Sequence, residues 1–226
     1  MEQKLAIVGY GKMGQLIAQL APACGFSVHA AIDINDDFAK AQGADVAIEF
    51  TTPEAVVGNV EKLAAMKLPV VIGTTGWLQH MDRVKAAADR NGTGVVWSPN
   101  FSVGVNVFFR LVREAARLLA DEAEYGAWAW EIHHDTKKDA PSGTMIKLVE
   151  EMNSAGYVRN IDVSSSRAGR HPGTHEIGFD SAADTITLRH AARSREGFAR
   201  GALKAGQWIV GKQGVFEFSD VLFTKR

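Results

Sequence analysis

The sequence lacks the features that would tie it to a membrane, to nucleic acid or to an oxidising compartment. A single cysteine, Cys24, cannot form an internal disulfide. Glycines and charges interrupt every hydrophobic run, so none approaches the roughly 18 residues of a membrane helix. The net charge of −1 leaves no basic excess for nucleic acid or anionic lipid. Since the N-terminus also lacks a signal-peptide pattern, we expect a soluble, cytoplasmic protein with no nucleic acid or membrane partner.

Hydrophobic periodicity predicts an α/β fold for the first hundred of the 226 residues. The predicted strands are 4–10, 27–33, 44–50, 69–74 and 93–98, and the predicted helices are 12–24, 53–66 and 78–90. This alternation is typical of a parallel, doubly wound sheet. The connection from Asp33 to Ala44 is so short that we expect its helix to be a single turn or missing.

The pattern changes after Asn100 and indicates a second, α+β domain. A long amphipathic helix, about 105–122, leads into a strand from 127 to 134, and a further helix begins near Ser142. Three β-rich stretches follow at about 161–168, 174–181 and 184–192, and then a helix at about 196–210. Trp128, Trp130 and Ile132 share one strand face, and we expect them in the core.

A glycine-rich turn between the first strand and the first helix predicts a dinucleotide site. The segment is Gly9-Tyr10-Gly11-Lys12-Met13-Gly14, which matches GxGxxG in its confirming context. The first glycine permits the tight turn, the second lets the backbone approach a pyrophosphate, and the third allows helix–strand packing. Asp33 closes the second strand where an acid would hydrogen-bond a ribose hydroxyl.

Asp33 also bears on the choice of cofactor. Its carboxylate repels the extra phosphate of NADP and suits the free ribose diol of NAD, and no arginine follows it. Lys12 could still reach a phosphate as a flexible point charge. We therefore expect NADH to be favoured, or both NADH and NADPH to be used.

Two further stretches follow predicted strands, at the sheet edge where ligands bind in such folds. They are Gly73-Thr74-Thr75-Gly76 and Ser98-Pro99-Asn100-Phe101. Gly73 and Gly76 could equally be turn glycines, and Thr74 a helix cap. Their order in the sequence leaves both interpretations open.

The segment from Glu131 to Thr144 has the residue types of an active site for an anion. His133 and His134 can exchange protons near neutral pH, and Lys137 supplies a fixed cation. Ser142-Gly143-Thr144 then open a helix, whose unpaired N–H groups and dipole favour a carboxylate. A solvated charged loop is the alternative interpretation.

Metal binding by the histidines is the competing chemistry. The candidate ligand sets are His133, His134 and Asp135, or His171 and His175. Adjacent histidines on an extended segment point apart, and Lys137 would repel a cation. His171 precedes a Pro-Gly turn rather than lying on a helix. We therefore expect no metal.

In this order, these residues resemble the dihydrodipicolinate reductase family, also called 4-hydroxy-tetrahydrodipicolinate reductases, of bacterial diaminopimelate and lysine biosynthesis. The similar segments are GYGKMG at 9–14, GTTG at 73–76, SPNFSVGVN at 98–106, EIHHDTKKDAPSGT at 131–144, RAG at 167–169, THEIGF at 174–179 and SREGFARGA at 194–202. The resemblance implies a Rossmann dinucleotide-binding domain of residues 1–104 and 195–226. It also implies an inserted substrate-binding and tetramerisation domain, residues 105–194, and hence a homotetramer.

The resemblance further implies the activity and the roles of residues. Hydride would pass from NADH or NADPH to the dihydrodipicolinate precursor, a small dicarboxylate, giving tetrahydrodipicolinate. His133 would be the acid/base residue and Lys137 the proton donor. The implied carboxylate-binding residues are His134, Ser142, Gly143 and Thr144, and the implied cofactor contacts are Gly73, Thr74, Thr75 and Ser98 to Phe101.

Two other functions remain open from the residues. Another NAD(P)-dependent dehydrogenase of the aspartate pathway would need a catalytic cysteine or a lysine–aspartate pair in the second domain, and no cysteine lies beyond Cys24. A non-catalytic dinucleotide sensor would have no need of the histidines and the SGT segment in one cleft.

Overall fold

The computed structural model describes residues 2–224, which divide into two units. Unit 1 contains residues 2–102 and 196–224, and unit 2 contains residues 103–195. The strands are β1 Gln3–Val8, β2 Phe26–Ile32, β3 Val46–Glu49, β4 Val70–Ile72, β5 Gly94–Trp97, β6 Gly126–His133, β7 Ile161–Arg167, β8 Thr174–Asp180, β9 Thr185–Ala191 and β10 Gly214–Glu217. The α-helices are α1 Lys12–Leu20, α2 Pro53–Ala65, α3 Met81–Asn91, α4 Val103–Leu118, α5 Gly143–Ser154, α6 Glu196–Ile209 and α7 Phe218–Phe223.

Unit 1 is built on a parallel sheet with the strand order β10-β5-β4-β3-β1-β2. Residues of α1, α6 and α7 pack on one face, and residues of α2 and α3 pack on the other. Strands β3 and β4 are buried at every position, as expected of strands that are covered on both faces. The predicted doubly wound α/β fold is confirmed. Successive strands are added on opposite sides of β1, so the switch point lies between β1 and β3.

The short connection after β2 is a 3-10 turn, Phe38–Ala41, in place of a crossover helix. The Asp37 side chain starts this turn by accepting a hydrogen bond of 2.9 Å from the backbone N–H of Ala39. The expected single turn is confirmed. The first helix ends at Leu20, earlier than predicted, because Pro22 begins a separate 3-10 turn.

Unit 2 is a mixed sheet with the order β7-β6-β8-β9 and with α4 and α5 on one face. Its core lies between the helices and this face of the sheet. Trp128, Trp130 and Ile132 are half-buried on the opposite face. The prediction that they lie in the core is wrong, because among the described residues the helices of unit 2 cover a single face. None of the helices within residues 2–224 has the length and apolar character needed to cross a membrane.

Gly201 and Gly206 of α6 differ in the space that a side chain would have, and this difference predicts an effect on stability. A Cβ at Gly201 would lie 1.7 Å from the carbonyl oxygen of Phe101, whereas a Cβ at Gly206 would make ordinary contacts of 3.4 Å or more. We expect Gly201→Ala to destabilise the fold by about 1–3 kcal/mol or more through overpacking. Gly206→Ala, on the same helix, is the matched control and should be neutral or stabilising by up to about 1 kcal/mol. Urea unfolding measures both, and equal effects would contradict the prediction.

Candidate active site

The glycine-rich turn after β1 has the geometry that a dinucleotide requires. Gly9 has φ +91°, and a Cβ there would lie 2.0 Å from the carbonyl oxygen of Phe50. A Cβ at Gly14 would lie 2.1 Å from the carbonyl oxygen of Gly9, so this glycine allows α1 to pack closely. Gly11 is the N-cap of α1, and no side chain caps the helix there. A Cβ built at Gly11 would have no neighbouring atom within 4 Å. A pyrophosphate can therefore approach the N-terminus of α1.

A pocket of about 460 Å³ lies at this turn, at the switch point of the sheet. Its lining residues are Gly11, Lys12, Met13, Phe50, Thr51, Pro53, Gly73, Thr74 and Thr75. The turn after β1 and the segment after β4 were both predicted as cofactor contacts, and the structure brings them together. Phe50, Thr51 and Pro53 were missed. They follow β3, so the rule that ligands bind beyond the carboxyl ends of parallel strands could have found them.

The buried carboxylate of Glu49 joins the two loops of the pocket. It accepts hydrogen bonds from the hydroxyl of Thr51, from that of Thr74 at 2.7 Å and from the amide of Asn59 at 3.2 Å. The Thr74 hydroxyl also accepts from the backbone N–H of Thr51 at 2.7 Å. Thr74 therefore joins two loops and is not a helix cap. Burial raises the pKa of Glu49, and these hydrogen bonds only partly offset the increase.

The other predicted cofactor residues lie outside the lining of this pocket. Asp33, at the end of β2, is exposed, and its Oδ1 accepts a hydrogen bond of 2.9 Å from the backbone N–H of Ile34. Tyr10 is exposed. Ser98 and Asn100 are buried and hydrogen-bond each other across the turn, in which Pro99 is exposed. Phe101 is a core residue, with its ring 4.9 Å from that of Phe218. Their contact with a cofactor stays a prediction.

The strand register of unit 2 assembles a second polar site. On the helix-covered face, Glu131 of β6 lies opposite Ser165 of β7 and His175 of β8. His175 in turn lies opposite His190 of β9. Because side chains alternate along a strand, His133 shares the face of Glu131. The register thus brings together polar residues that are distant in the sequence.

Glu131 has no solvent exposure and binds three donors through one oxygen. Its Oε1 accepts hydrogen bonds, each of 2.9 Å, from the backbone N–H of Ser142, the hydroxyl of Ser165 and Nη2 of Arg167. Burial raises the pKa of Glu131, but His175, Ser142 and Arg167 act against burial more strongly. Together they hold that pKa well below its usual range. The buried carboxylate is therefore an anion at neutral pH.

His133 is buried beside this anion. Its Nδ1 lies 3.6 Å from Oε2 of Glu131, and its ring packs edge-on against His175 at 5.0 Å between centroids. Burial is the largest cause that lowers the pKa of His133, and the charges of His175, Lys137 and Arg167 act in the same direction, whereas Glu131 raises it. Together these effects lower the pKa of His133 to about 4. The imidazole of the free protein is therefore neutral at pH 7.

The loop between β6 and α5 carries the remaining predicted residues of this site. His134 hydrogen-bonds the hydroxyl of Thr136 at 2.8 Å, and Lys137 forms an ion pair with Asp139 at 2.7 Å. Arg167 links the loop to Glu131 by also donating to the carbonyl of Asp139. The loop is thus anchored to the same carboxylate as the sheet.

Ser142 begins α5, as predicted. Its hydroxyl accepts a hydrogen bond of 3.2 Å from the backbone N–H of Met145 and lies 3.2 Å from Nε2 of His175. Gly143 is exposed and Thr144 is half-buried in the first turn of the helix. Ser142 and His133 therefore both lie beside the carboxylate of Glu131. Glu131, Arg167 and His175 were not predicted as site residues, because only the register reveals their proximity.

Glu131, His133 and His175 also form a candidate metal-binding cluster, with ligand atoms within 4.8 Å of one another. This set differs from both sets considered from the sequence. Arg167 already occupies one carboxylate oxygen, and its charge and that of Lys137 lower the pKa of His133. The positive potential at the imidazole opposes a bound cation. We keep the expectation that no metal binds here.

Comparison with known proteins decides the family. The model for the N-terminus of dihydrodipicolinate reductase matches residues 3–101, and the model for its C-terminus matches residues 104–222. The chain belongs to the dihydrodipicolinate reductase family. Proteins named 4-hydroxy-tetrahydrodipicolinate reductase are similar to it over nearly their whole length. The one from Christiangramia forsetii is 35% identical, covering 96% of this chain and 97% of that protein. The one from Archaeoglobus fulgidus is 36% identical, covering 94% and 96%.

A solved reductase of this family shows the same fold. The dipicolinate-bound dihydrodipicolinate reductase of Paenisporosarcina sp. TG-14 superposes with a TM-score of 0.80 at 22% identity, covering 98% of this chain and 100% of that one. Aspartate dehydrogenase of Thermotoga maritima superposes less closely, with a TM-score of 0.52 at 10% identity, covering 94% and 98%. Family membership makes the chain an NAD(P)H-dependent oxidoreductase.

Glu49 should make the stability of the fold depend on pH. The raised pKa means that the native state holds this proton more firmly than the unfolded chain does. The stabilisation is therefore present at low pH and is lost as pH rises through the folded pKa. We expect the free energy of unfolding of the wild type, relative to that of Glu49→Gln, to fall as pH rises above 4.5, the ordinary pKa of this carboxyl group. Urea unfolding at several pH values measures this difference. A difference that does not vary with pH would contradict the prediction.

Proposed function

We propose that this chain is a 4-hydroxy-tetrahydrodipicolinate reductase of diaminopimelate and lysine biosynthesis. It reduces the dihydrodipicolinate precursor to tetrahydrodipicolinate with NAD(P)H. The observation that carries the proposal is the arrangement in unit 2, where one buried carboxylate binds the start of α5 and lies 3.6 Å from the imidazole of His133. Acid/base and anion-binding groups in one cluster suit a dicarboxylate that must be protonated. The similar proteins that bear this name support the same activity.

The pocket of unit 1 supplies the cofactor site of this proposal. The turn from Gly9 to Gly14 holds the pyrophosphate, and the segment from Gly73 to Thr75 contacts the nicotinamide half. Ser98 to Phe101 lie on the next loop of the same sheet edge. When bound, NAD(P)H supplies the hydride. Residues 1–104 and 195–226 are thus the dinucleotide-binding domain, and residues 105–194 are the substrate-binding and tetramerisation domain.

The residues of unit 2 orient the substrate and deliver the proton. The N–H groups and hydroxyls of Ser142, Gly143 and Thr144, with His134, bind a substrate carboxylate at the N-terminus of α5. Lys137 exchanges its ion pair with Asp139 for the anionic substrate and donates the proton that follows hydride addition. His133 is the acid/base residue. A positioned acid contributes about 10²–10⁴-fold to such a step.

The open face of the unit 2 sheet supports assembly. Trp128, Trp130 and Ile132 are half-buried there, and aromatic side chains are enriched in protein interfaces. We propose that this face builds the homotetramer, in the cytoplasm, where a biosynthetic reductase finds its reduced cofactor.

Replacement of Lys137 tests the activity. Lys137→Ala should lower kcat by about 10²–10⁴-fold because the proton donor is lost. The dissociation constant of NADH, from nicotinamide fluorescence, should hardly change because the pocket lies in unit 1. Turnover is followed as loss of nicotinamide absorbance while dihydrodipicolinate synthase generates the substrate in the same cuvette. Lys147→Ala on α5 is the matched control. No turnover by the wild type with either cofactor would overturn the proposed function.

Replacement of Asp33 tests the preference for NADH or dual use. The carboxylate is exposed at the end of β2, where it can reach a ribose diol. Asp33→Ala should therefore raise the KM for NADH more than the KM for NADPH. Asp37→Ala, beyond the same strand, is the control. Equal effects of Asp33→Ala on both cofactors would show that this carboxylate does not contact the ribose.

A further inference from the structure

Two buried polar atoms of unit 2 face each other without a hydrogen bond. Oε1 of Glu131 is saturated by three donors, but neither Oε2 of Glu131 nor Nδ1 of His133 has a hydrogen-bond partner among the described residues. They lie 3.6 Å apart, and both side chains are more than nine-tenths buried. Nε2 of His175 also lies 3.4 Å from Oε2 of Glu131, but its hydrogen bond is made with the hydroxyl of Ser142 at 3.2 Å. Buried polar groups of native proteins are nearly always satisfied. This pair is therefore placed to close into a hydrogen bond, as catalytic pairs do when a ligand binds.

The orientation of the His133 ring decides which of its two nitrogens carries the proton. A carboxylate that faces Nδ1 favours the tautomer with the proton on Nδ1, and this tautomer leaves Nε2 to exchange a proton elsewhere. Nε2 points toward Gly173, where an added Cβ would lie 3.0 Å away. The charged or titratable groups that act on His133 are His175, Lys137 and Arg167, besides Glu131 itself. Glu131 is the anion among them.

We propose that Glu131 is a positioning residue for the reductase reaction. Its Oε1 fixes the anion-binding start of α5 through Ser142, and its Oε2 sets the tautomer of His133. One carboxylate thereby aligns the residue that binds the substrate with the residue that exchanges its proton. The role in turnover rests on the proposed function, whereas the control of the tautomer does not.

Measurement on the unmodified protein gives the first test. Nitrogen-15 NMR of the imidazoles distinguishes a proton on Nδ1 from one on Nε2, and His133→Asn assigns the His133 signals. We expect the Nδ1–H tautomer at pH 7. The Nε2–H tautomer would overturn the proposal, and so would a stoichiometric metal bound at Nδ1 in the purified protein.

Glu131→Gln gives the second test, since it keeps the shape and an acceptor for Ser142 but removes the charge. We expect kcat to fall by about 10- to 100-fold with the KM for NADH unchanged. The pKa of His133 should fall and the share of its Nδ1–H tautomer should decrease, because the anion that favours both is gone. Glu151→Gln is the control, because Glu151 also forms ion pairs in unit 2, with Arg113 and Lys147. It should leave kcat, tautomer and pKa unchanged.

The readouts separate a positioning role from a structural one. A purely structural Glu131 would lower the urea midpoint and kcat in Glu131→Gln but leave the tautomer and the pKa of His133 as they were, and that result would overturn the proposal. If the wild type lacks reductase activity while the tautomer responds to Glu131→Gln, the proposed function fails and the control of the tautomer stands.

Discussion

The fold of unit 2 depends on hydrogen bonds that replace water around one buried negative charge, the carboxylate of Glu131. An ionised carboxylate without solvent exposure is tolerated only where donors replace water, and Glu131 obtains them from Ser142 at the start of α5 and from Ser165 and Arg167 of β7. Arg167 also donates to the carbonyl of Asp139 in the loop before α5. Strand register, loop path and helix position are thus all fixed by the requirement of a single group. A shift of β6 by one residue would turn this charge to the opposite face of the sheet.

Unit 1 uses a carboxylate in a related way but with a different electrostatic result. Glu49 also joins separate loops, through Thr51 and Thr74, yet the groups that bind it are hydroxyls and an amide. Its pKa is therefore raised by burial, whereas the guanidinium of Arg167 helps to keep the pKa of Glu131 low. Glu49 mainly fixes the shape of the pocket, and Glu131 fixes shape and also supplies charge.

Features that local sequence determines could be predicted, whereas contacts that depend on strand register could not. The alternation of strands and helices, the turn from Gly9 to Gly14 and the start of α5 at Ser142 are local signals, and they predicted the elements well. The pairing of Glu131 with His175 depends on an antiparallel register that no spacing encodes. The prediction that Trp128 lies in the core was wrong for a related reason, because the sequence of a strand does not show how many faces of its sheet are covered.

The low pKa of His133 fits acid/base chemistry that begins only when substrate is present. In the free protein, burial and the neighbouring cations keep the imidazole neutral, so it holds no extra proton to release to solvent. Under the proposed function, a dianionic substrate brings negative charge to Lys137 and the start of α5, which offsets those cations and raises the pKa of the imidazole. Glu131 adds to the same stabilisation from the Nδ1 side. Substrate binding thereby prepares His133 for its acid/base role.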